Sequence, residues 1–455
     1  MEHTTNNMTF DILHGLLDKK RYKALAYALQ EMNEYDIAEF LDELEPEQVL
    51  IIFRMLPKDL SADVFAEMEN ETQTKIVSNI SAFELNDIIE NLAMDDAVDM
   101  IEELPANLVQ KVLQSAQPDT RATINQYLKY PEDSAGSMMT AEYVALKRHM
   151  PIPDALRYIR EHGKDSETIY TCFVTNEHRR LQGYVTLKDI VMADPEATVE
   201  SVMDENVIFT RTGVDQEEVA NLFNKYDLLT LAVVDKEDRM VGIITVDDMV
   251  DVMEQEATED IQKMAAIAPN EKPYLKTSVF QLSKDRIFWL MFLMISSMIT
   301  GAMLTKFENA FAAVPLLVTF IPMMTGTGGN AGSQAATLII RGMTLGEITG
   351  NDIFRVWWKE VRVAVICGVI LAAVNFVRLS IQYPGNYMVC VTICLSMFGT
   401  IVIAKSVGCL LPIIASTVFH LDPTIMAAPL ISTIMDCCSL LLYFSLACYF
   451  LGISL

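Results

Sequence analysis

Several features are scarce or missing in this 455-residue sequence, and each absence excludes a class of protein. Only 34 Lys and Arg stand against 61 Asp and Glu, a formal net charge of −27, which argues against a surface that binds nucleic acid. No zinc-type cysteine spacing or secreted disulfide framework occurs. The H-E-x-x-H, G-x-S-x-G and P-loop motifs are also missing, so we expect no enzyme. The N-terminal region lacks the apolar core of a signal peptide, and we expect it to stay in the cytoplasm.

The two halves of the chain differ in charge. Residues 1–283 hold 25 Lys and Arg against 54 Asp and Glu, a net charge of −29, whereas residues 284–455 hold nine against seven. The whole chain is nevertheless 51% hydrophobic, with a mean hydropathy of +0.25. An acidic soluble half is therefore followed by an apolar half, which we interpret as a membrane domain.

Five segments of the second half carry one charge or none and are long enough to cross a bilayer, for which a helix needs about 20 apolar residues. They are Ile287–Thr305, Ala310–Ile340, Val363–Tyr383, Tyr387–Phe419 and Ile425–Leu455. Basic residues concentrate before the first segment and between the second and third: Lys284, Arg286, Arg341, Arg355, Lys359 and Arg362. The positive-inside rule then places the N-terminus in the cytoplasm and the C-terminus outside a plasma (inner) membrane.

The second segment contains a glycine-rich stretch at residues 326–334. Glycine is a poor helix former, and non-helical backbone at membrane depth is tolerated where it is buried in protein or lines a water-filled cavity. We therefore expect a broken helix that offers carbonyl groups to a passing ion. The candidate pore-lining residues are Gly328, Gly329, Asn330 and Gln334. The alternative is close helix packing through small residues.

Asp436 is the only charged residue of the last predicted span. A carboxylate at that depth costs about 2.5–3.5 kcal/mol on insertion scales, so it generally faces a pathway or a partner. One alternative is an ion pair with Lys405 in the preceding span. The other is a cation site, since a two-fold dimer would bring two such carboxylates together. Two carboxylates and a few carbonyls suit a partly hydrated Mg²⁺, whereas Ca²⁺ takes about six to eight oxygens.

Residues 11–130 have the pattern of short amphipathic helices separated by prolines. The phrases LDELEP at 41–46 and MIEELP at 100–105 resemble each other, which suggests a small helical superhelix. Asp95, Asp96 and Asp99 stand out in its loops. A favourable interaction with a helix N-terminus is the simpler explanation for them.

An internal repeat with a spacing near 60 residues follows between residues 137 and 260. LQGYVTLKD at 181–189 is echoed by MVGIITVDD at 240–248, and each copy has the order helix, strand, turn, strand, helix. The predicted helices and strands are Ile152–Glu161, Gln216–Tyr226, Thr171–Thr175 and Thr230–Val234. The repeat resembles a tandem pair of CBS modules, a regulatory fold that often holds adenine nucleotides. Nucleotide binding through Thr245 and Asp247 or Asp248 is one option.

The segment after the second repeat is strongly acidic, with seven acids and no basic residue among the 14 positions from Asp247 to Asp260. At about 100° per residue, Asp248, Asp251 and Glu259 share one helix face, where like charges repel. One alternative is an ordinary solvated face. The other is that divalent cations neutralise this face next to the membrane domain.

Taken in order, an acidic helical domain, a CBS pair, an acidic connecting helix and five spans resemble the MgtE-type family of magnesium channels. The specific motifs are GGNAGSQ at 328–334 and the stretch with Leu421-Asp422-Pro423, Pro429 and Asp436. The resemblance covers essentially the whole chain and implies a multidomain membrane protein. Its parts would be an all-α superhelical N domain (1–133), α/β tandem CBS domains (134–200 and 201–262), an acidic connecting helix and linker (247–283) and an all-α five-helix transmembrane domain (284–455).

The resemblance also implies a homodimer in the lipid membrane whose pore admits Mg²⁺ and closes when cytosolic Mg²⁺ binds between the acidic domains. Asp436 would be the pore ligand, Asp422 would lie at the cytoplasmic mouth, and ATP at the CBS pair, near Thr245 and Asp247, is a further candidate. The implied sensor ligands are Asp63, Asp95, Asp99, Glu217, Asp227, Asp248, Asp251, Glu256, Glu259 and Asp260, with the backbone carbonyl of Asn224. Two other classes stay open: a CBS-regulated transporter of another ion, and a membrane-anchored nucleotide sensor.

Overall fold

The computed structural model describes residues 2–164, 166–270, 272–307, 314–426 and 428–452. The chain divides into two compact units, residues 1–253 and 254–455. The first unit begins with a series of short helices. They are α1 Glu2–Asp18, α2 Tyr22–Gln30, α3 Glu34–Asp42, α4 Pro46–Phe53, α5 Lys58–Ala66, α6 Asn70–Asn79, α7 Ala82–Ile89, α8 Met94–Glu103, α9 Ala106–Ser115 and α10 Pro118–Tyr127.

Local sequence explains where several of these helices begin. Ser81 and Glu84 form a capping box at the start of α7, the Asn33 side chain caps α3, and Pro46 and Pro118 open α4 and α10, where a missing N–H costs nothing. Each helix packs on a later one: α3 on α5, α4 on α6, α5 on α7 and α7 on α9. This succession is typical of a superhelix and confirms the predicted all-α N domain.

The CBS region repeats one arrangement twice. Its elements are β1 Tyr143–Leu146, α11 Ile152–His162, β2 Thr168–Thr175, β3 Leu181–Thr186, α12 Leu187–Met192, α13 Val199–Val202, β4 Phe209–Arg211, α14 Gln216–Tyr226, β5 Thr230–Val234 and β6 Met240–Thr245. They form two three-stranded sheets, β1-β2-β3 and β4-β5-β6, each with one parallel pair followed by one antiparallel pair. The predicted α/β repeat is confirmed.

The repeated Gly-x-x-Thr-x-x-Asp phrase has a structural function in both copies. A Cβ at Gly183 would lie 2.4 Å from the Asp204 carbonyl oxygen, and a Cβ at Gly242 2.6 Å from that of Thr140, so only glycine lets the neighbouring chain segment approach. The threonine then begins the next helix: the Thr245 hydroxyl donates to Asp248 over 2.7 Å, and the Asp189 backbone N–H donates to the Thr186 hydroxyl.

A long helix, α15 Val246–Met264, contains the acidic segment, and the boundary between the two units falls within it. The second unit continues with α16 Val279–Thr305, a 3₁₀ turn Pro315–Phe320, α17 Ile321–Thr344, α18 Ile353–Gln382, α19 Tyr387–Phe419 and α20 Ala428–Leu451. Among the described residues, four segments are long and apolar enough to cross a membrane: Val279–Thr305, Gly350–Gln382, Tyr387–Phe419 and Ala428–Leu451. The second predicted span stays a prediction, because α17 is not among these four segments and residues 310–313 lie outside the described residues. Residues 427 and 453–455 of the fifth predicted span also lie outside them.

The glycine-rich stretch is part of a continuous helix, so the expectation of a broken helix is wrong. The reason lies in packing: a Cβ at Gly332 would lie 3.0 Å from Ile431 Cγ2 on α20, and one at Gly408 on α19 would lie 2.3 Å from the Gly332 carbonyl oxygen. Close approach of three helices, the alternative drawn from the sequence, offsets the low helix propensity of glycine.

Candidate cation sites

Asp436 lies on α20 and is half-buried. Within the part of the chain that the structure describes, its carboxylate has no hydrogen bond and no ion pair. Lys405, the partner considered from the sequence, instead lies with its Nζ 3.5 Å from Glu360 Oε2 on α18. The structure therefore leaves the Asp436 carboxylate available to a cation.

The outward face of α17 is polar. Gly326, Asn330, Gln334, Thr337 and Arg341 are all exposed, and their spacing puts them within an arc of about 80° on the helix. A groove of about 570 Å³ runs along this face, lined by Asn330, Ser333, Gln334, Thr337, Leu338 and Lys405. A polar groove of this kind belongs against water or a partner rather than against lipid tails.

Two of the four candidate pore-lining residues are placed differently. Gly328 and Gly329 are buried against α20. A Cβ at Gly328 would lie 2.2 Å from Ser439 Oγ, and a Cβ at Gly329 would lie 2.4 Å from Ser432 Oγ. Their side of α17 therefore packs within the chain. Asn330 and Gln334 are left as the members of the set that face the groove.

Asp422 lies in a cluster of charged groups at the end of α15, which we call the Asp422 cluster: Glu259, Asp260, Lys263, Arg341 and Asp422. Lys263 Nζ is 2.8 Å from Asp422 Oδ2 and 2.7 Å from Glu259 Oε1. The Thr424 backbone N–H donates to Asp422 Oδ1 over 2.8 Å. A divalent cation at Asp422 would therefore compete with Lys263.

The pKa values in this cluster follow from those contacts. Burial favours the neutral form of Asp422, but hydrogen bonds from Lys263 and Thr424 outweigh it and lower the pKa of this carboxyl. At Asp260 burial prevails, and together with the charge of Asp422 it raises the pKa of that carboxyl. The cluster thus holds one firmly ionised carboxylate and one that a nearby cation would stabilise.

A second concentration of carboxyl groups lies in the first unit, around Asp248. Asp248 interacts electrostatically with Glu67, Asp95, Asp96, Asp99 and Glu167. We call these six residues, with Asp247 and Asp251, the acidic cluster. It lies where α8 of the helical domain packs against the CBS pair, with Val98 in the same apolar core as Val219 and Ile244.

Desolvation by the surrounding protein is the largest cause of the shifted pKa values in the acidic cluster. It raises the pKa of Asp96 and of Asp99 to about 7 and that of Asp95 well above its usual value. The charge of Asp248 adds to the shift at each of the three, while the hydrogen bond from Thr245 opposes the same rise at Asp248. Carboxyls that repel one another in this way are stabilised either by protons or by a cation.

The carboxyls of the acidic cluster are close enough to influence one another's charge, but they do not form a complete metal-coordination site. Within the described residues, no three His, Cys, Asp or Glu side chains converge at the spacing that holds a metal ion. A Mg²⁺ ion retains several waters and binds through one or two carboxylates, so such a cluster can take it up without a closed cage.

The remaining predicted ligands lie elsewhere. Glu217 and Asn224 are on α14, two turns apart or about 10 Å along the axis, and Asp227 follows in a left-handed conformation with φ of 50°. All three are exposed, as is Asp63 on α5, while Glu256 is half-buried on α15. Glu217 and Asn224 are too far apart to share one ion. Asp247 is exposed beside Thr245, whose hydroxyl is bonded to Asp248.

Five charged residues were not among the predicted ligands but belong to these clusters: Glu67, Asp96, Glu167, Lys263 and Arg341. Asp96 is adjacent to Asp95 in sequence, and Lys263 is the basic residue in the last turn of α15, so both had a local signal. Glu167 precedes the second strand without any motif. Only folding brings it to Asp248.

Comparison with known proteins agrees with this geometry. Family models match the chain as a divalent cation transporter over residues 321–446, as an MgtE intracellular N domain over 32–133 and as CBS domains over 135–196 and 199–255. Over 439 residues the chain is 36% identical to the magnesium transporter MgtE of Thermus thermophilus, covering 96% of this chain and 97% of the relative. The chain belongs to the MgtE family. The magnesium transporter MgtE of Bacillus subtilis is 31% identical over 432 residues, 91% of this chain and 94% of that relative.

Two solved structures resemble the N-terminal half of this MgtE family member. The cytosolic domain of the Mg²⁺ channel MgtE in complex with ATP has a TM-score of 0.51 and 37% identity, covering 53% of this chain and 98% of that one. The soluble part of a magnesium transporter has a TM-score of 0.52 and 26% identity, covering 55% and 99%. The predicted fold class, a helical N domain and CBS pair followed by apolar helices, is confirmed.

Proposed function

We propose that this MgtE family member conducts Mg²⁺ into the cell across the plasma membrane. The observation that carries the proposal is the polar, exposed face of α17 in an otherwise apolar domain, together with an Asp436 carboxylate that forms no ion pair within the described residues. The relatives named as magnesium transporters support Mg²⁺ as the ion.

The channel works as a homodimer in this proposal. Two copies of Asp436 near a two-fold axis supply two carboxylates, the number that suits a partly hydrated Mg²⁺. Asn330 and Gln334 line the same pathway and contact the water shell of the ion. Basic residues between the second and third spans favour an N-terminus in the cytoplasm and a C-terminus outside.

Cytosolic Mg²⁺ closes the channel by binding at the acidic cluster and the Asp422 cluster. Bound cations replace repulsion between Asp95, Asp99 and Asp248 by bridging, and so favour a compact first unit. Asp251, Glu256, Glu259 and Asp260 along α15 extend this response to the membrane domain, and Asp63, Glu217, Asn224 and Asp227 supply outlying ligands. Several weak sites acting together make closure cooperative.

ATP at the CBS pair is a second regulator that we propose, because the relative's cytosolic domain was solved with ATP. Thr245 and Asp247 are the candidate contacts. The Thr245 hydroxyl already donates to Asp248, so ATP binding there and Mg²⁺ binding at Asp248 would influence each other.

The test is ion flux into liposomes that contain the purified full-length protein, with internal Mg²⁺ varied. Mg²⁺ entry that falls steeply as internal Mg²⁺ rises supports the proposal, and added ATP should shift the concentration of half-closure. Flux of another ion with none of Mg²⁺ would favour the CBS-regulated transporter of another ion. ATP binding without any ion flux would favour the membrane-anchored nucleotide sensor.

A further inference from the structure

The membrane domain contains a buried ion pair to which neither the sequence motifs nor the family assignment gives a function. Glu360 on α18 and Lys405 on α19 have side chains only 12% and 9% exposed, and Nζ lies 3.5 Å from Oε2. Glu360 Oε2 is buried and makes no hydrogen bond within the described part of the chain. A pair without good hydrogen bonds does little for stability, because the cost of removing two charges from water is barely repaid.

Lys405 also borders the polar groove on α17. It lines the groove with Asn330, Ser333, Gln334 and Thr337, and its ammonium is also the group paired with Glu360. An unpaired positive charge in this wall would repel every cation that enters, and a divalent ion twice as strongly as a monovalent one. Low dielectric and limited screening by salt make such a charge act further than it would in water.

We infer that Glu360 is a positioning residue that holds and neutralises the Lys405 ammonium, which keeps the groove open to divalent cations. The inference deepens the proposed function, because it assumes that the groove belongs to the Mg²⁺ pathway. The pair sets the electrostatic potential of the groove wall, while Asp436 and Asn330 contact the ion or its water. When Glu360 is removed, the unpaired charge of Lys405 makes the groove wall positive, and the ion must cross that region.

Single-channel recording of the full-length protein in planar bilayers tests this, since unitary conductance does not depend on the amount of folded protein. Glu360→Gln should lower Mg²⁺ conductance by about tenfold, within the range by which fixed charges change local ion concentration, and lower Na⁺ conductance less. The double variant Glu360→Gln/Lys405→Met should return to near the wild-type value, and Glu360→Asp should retain it. Glu347→Gln, an exposed acid after α17, is the matched control and should conduct like the wild type.

A measurement that needs no conduction separates this inference from the proposed function. A cysteine at the exposed Thr337 position is labelled with cationic and neutral thiol reagents, and labelling of the unsubstituted chain is subtracted. Glu360→Gln should lower the ratio of cationic to neutral labelling rates by about tenfold, and Lys405→Met should restore it. An unchanged ratio in Glu360→Gln overturns the pairing, even if the variant is less stable. A wild-type protein that passes no Mg²⁺ overturns the proposed function, while the labelling ratio still decides the pairing.

Discussion

Asp436 and Lys263 show how a single charge is treated in two surroundings. Asp436 lies in an apolar helix with no ion pair in the described part of the chain, whereas Lys263 at the end of α15 contacts two carboxylates. The first charge is available to a passing ion. The second occupies groups that a regulatory cation would use.

Replacing Asp436 by asparagine keeps the size of the side chain and removes its charge. We expect Mg²⁺ flux to fall by more than about tenfold, equivalent to roughly 1.4 kcal/mol, because a neutral amide attracts a hydrated divalent ion far less. Asp436→Ala should behave alike. The readout is Mg²⁺ uptake by liposomes, with size-exclusion chromatography to verify folding and dimer. Asp352→Asn, at the start of α18, is the control. Wild-type flux in both Asp436 variants would exclude Asp436 as the pore ligand.

Removal of Lys263 should make closure more sensitive to Mg²⁺. In Lys263→Gln, Asp422 and Glu259 lose their shared cation, so a divalent ion no longer competes for them. We expect half-closure at an internal Mg²⁺ concentration several-fold lower than in the wild type. Lys272→Gln, in the exposed turn that follows, should leave the concentration unchanged. A higher closing concentration in Lys263→Gln would mean that Lys263 supports the closed state.

At the scale of elements, α17, α19 and α20 approach closely at glycines, and at Gly408 an added side chain would meet backbone. Gly408→Ala places a Cβ 2.3 Å from the Gly332 carbonyl oxygen, so the helices must separate. We expect a loss of about 1–3 kcal/mol, the usual cost of overpacking, seen as a lower unfolding temperature in detergent.

Gly301→Ala on α16 is the matched control for this packing. A Cβ there has nothing within 4 Å, so alanine should keep or raise the unfolding temperature because of its better helix propensity. Equal unfolding temperatures for the two variants would show that the three helices are not tightly packed at Gly332.

At the scale of the whole molecule, we expect the acidic cluster to make the stability of the first unit depend on pH and on Mg²⁺. Desolvation by neighbouring protein groups and repulsion from nearby carboxylates raise the pKa of Asp96 and Asp99 from 3.8 to about 7, so between these values the folded protein binds more protons than the unfolded chain. The contribution of these two carboxyls to the free energy of unfolding is then complete below pH 3.8 and is lost as the pH rises through about 7. We expect the unfolding temperature in EDTA to be several degrees lower at pH 8 than at pH 5.5.

Added Mg²⁺ should remove most of that difference, because a cation replaces the lost protons. The double variant Asp96→Asn/Asp99→Asn should show a smaller pH dependence, whereas Asp119→Asn on α10 should match the wild type. Unfolding temperatures in EDTA that do not change between the two pH values would show that these carboxyls stay solvated.

Gating of the whole molecule should depend on several carboxylates at once. A shift of a two-state gate from 1:99 to 99:1 needs about 5.5 kcal/mol of differential binding, more than one weak site provides. Neutralising Asp248, Asp251, Glu256, Glu259 and Asp260 together should therefore leave a channel that stays open at high internal Mg²⁺. In this variant Mg²⁺ should also no longer protect the linkers near Glu132 and Pro269 from proteolysis. If this variant still closes at the wild-type Mg²⁺ concentration, the acidic residues of α15 are only a solvated face and do not bind the regulatory cation.

Local patterns in the sequence determined much of this protein. The Gly-x-x-Thr-x-x-Asp repeat predicted both CBS sheets, with α14 and β5 at the expected bounds. Long apolar segments predicted the helices of the second unit, and the isolated charge of Asp436 marked the candidate pore ligand. Each of these signals is carried by neighbouring residues, because helix and strand periodicity and hydropathy act over a few turns of chain.

The tertiary structure decided which partners those residues have. Glycine content predicted a broken helix, but contacts with Ile431 and Gly408 from two other helices keep α17 continuous. The sequence allowed an ion pair between Lys405 and Asp436, but in the structure Lys405 pairs with Glu360. Glu167, the residue before β2, interacts with Asp248 on α15. Such pairings depend on contacts between distant segments, and propensity within one segment holds no information about the surface that packs against it.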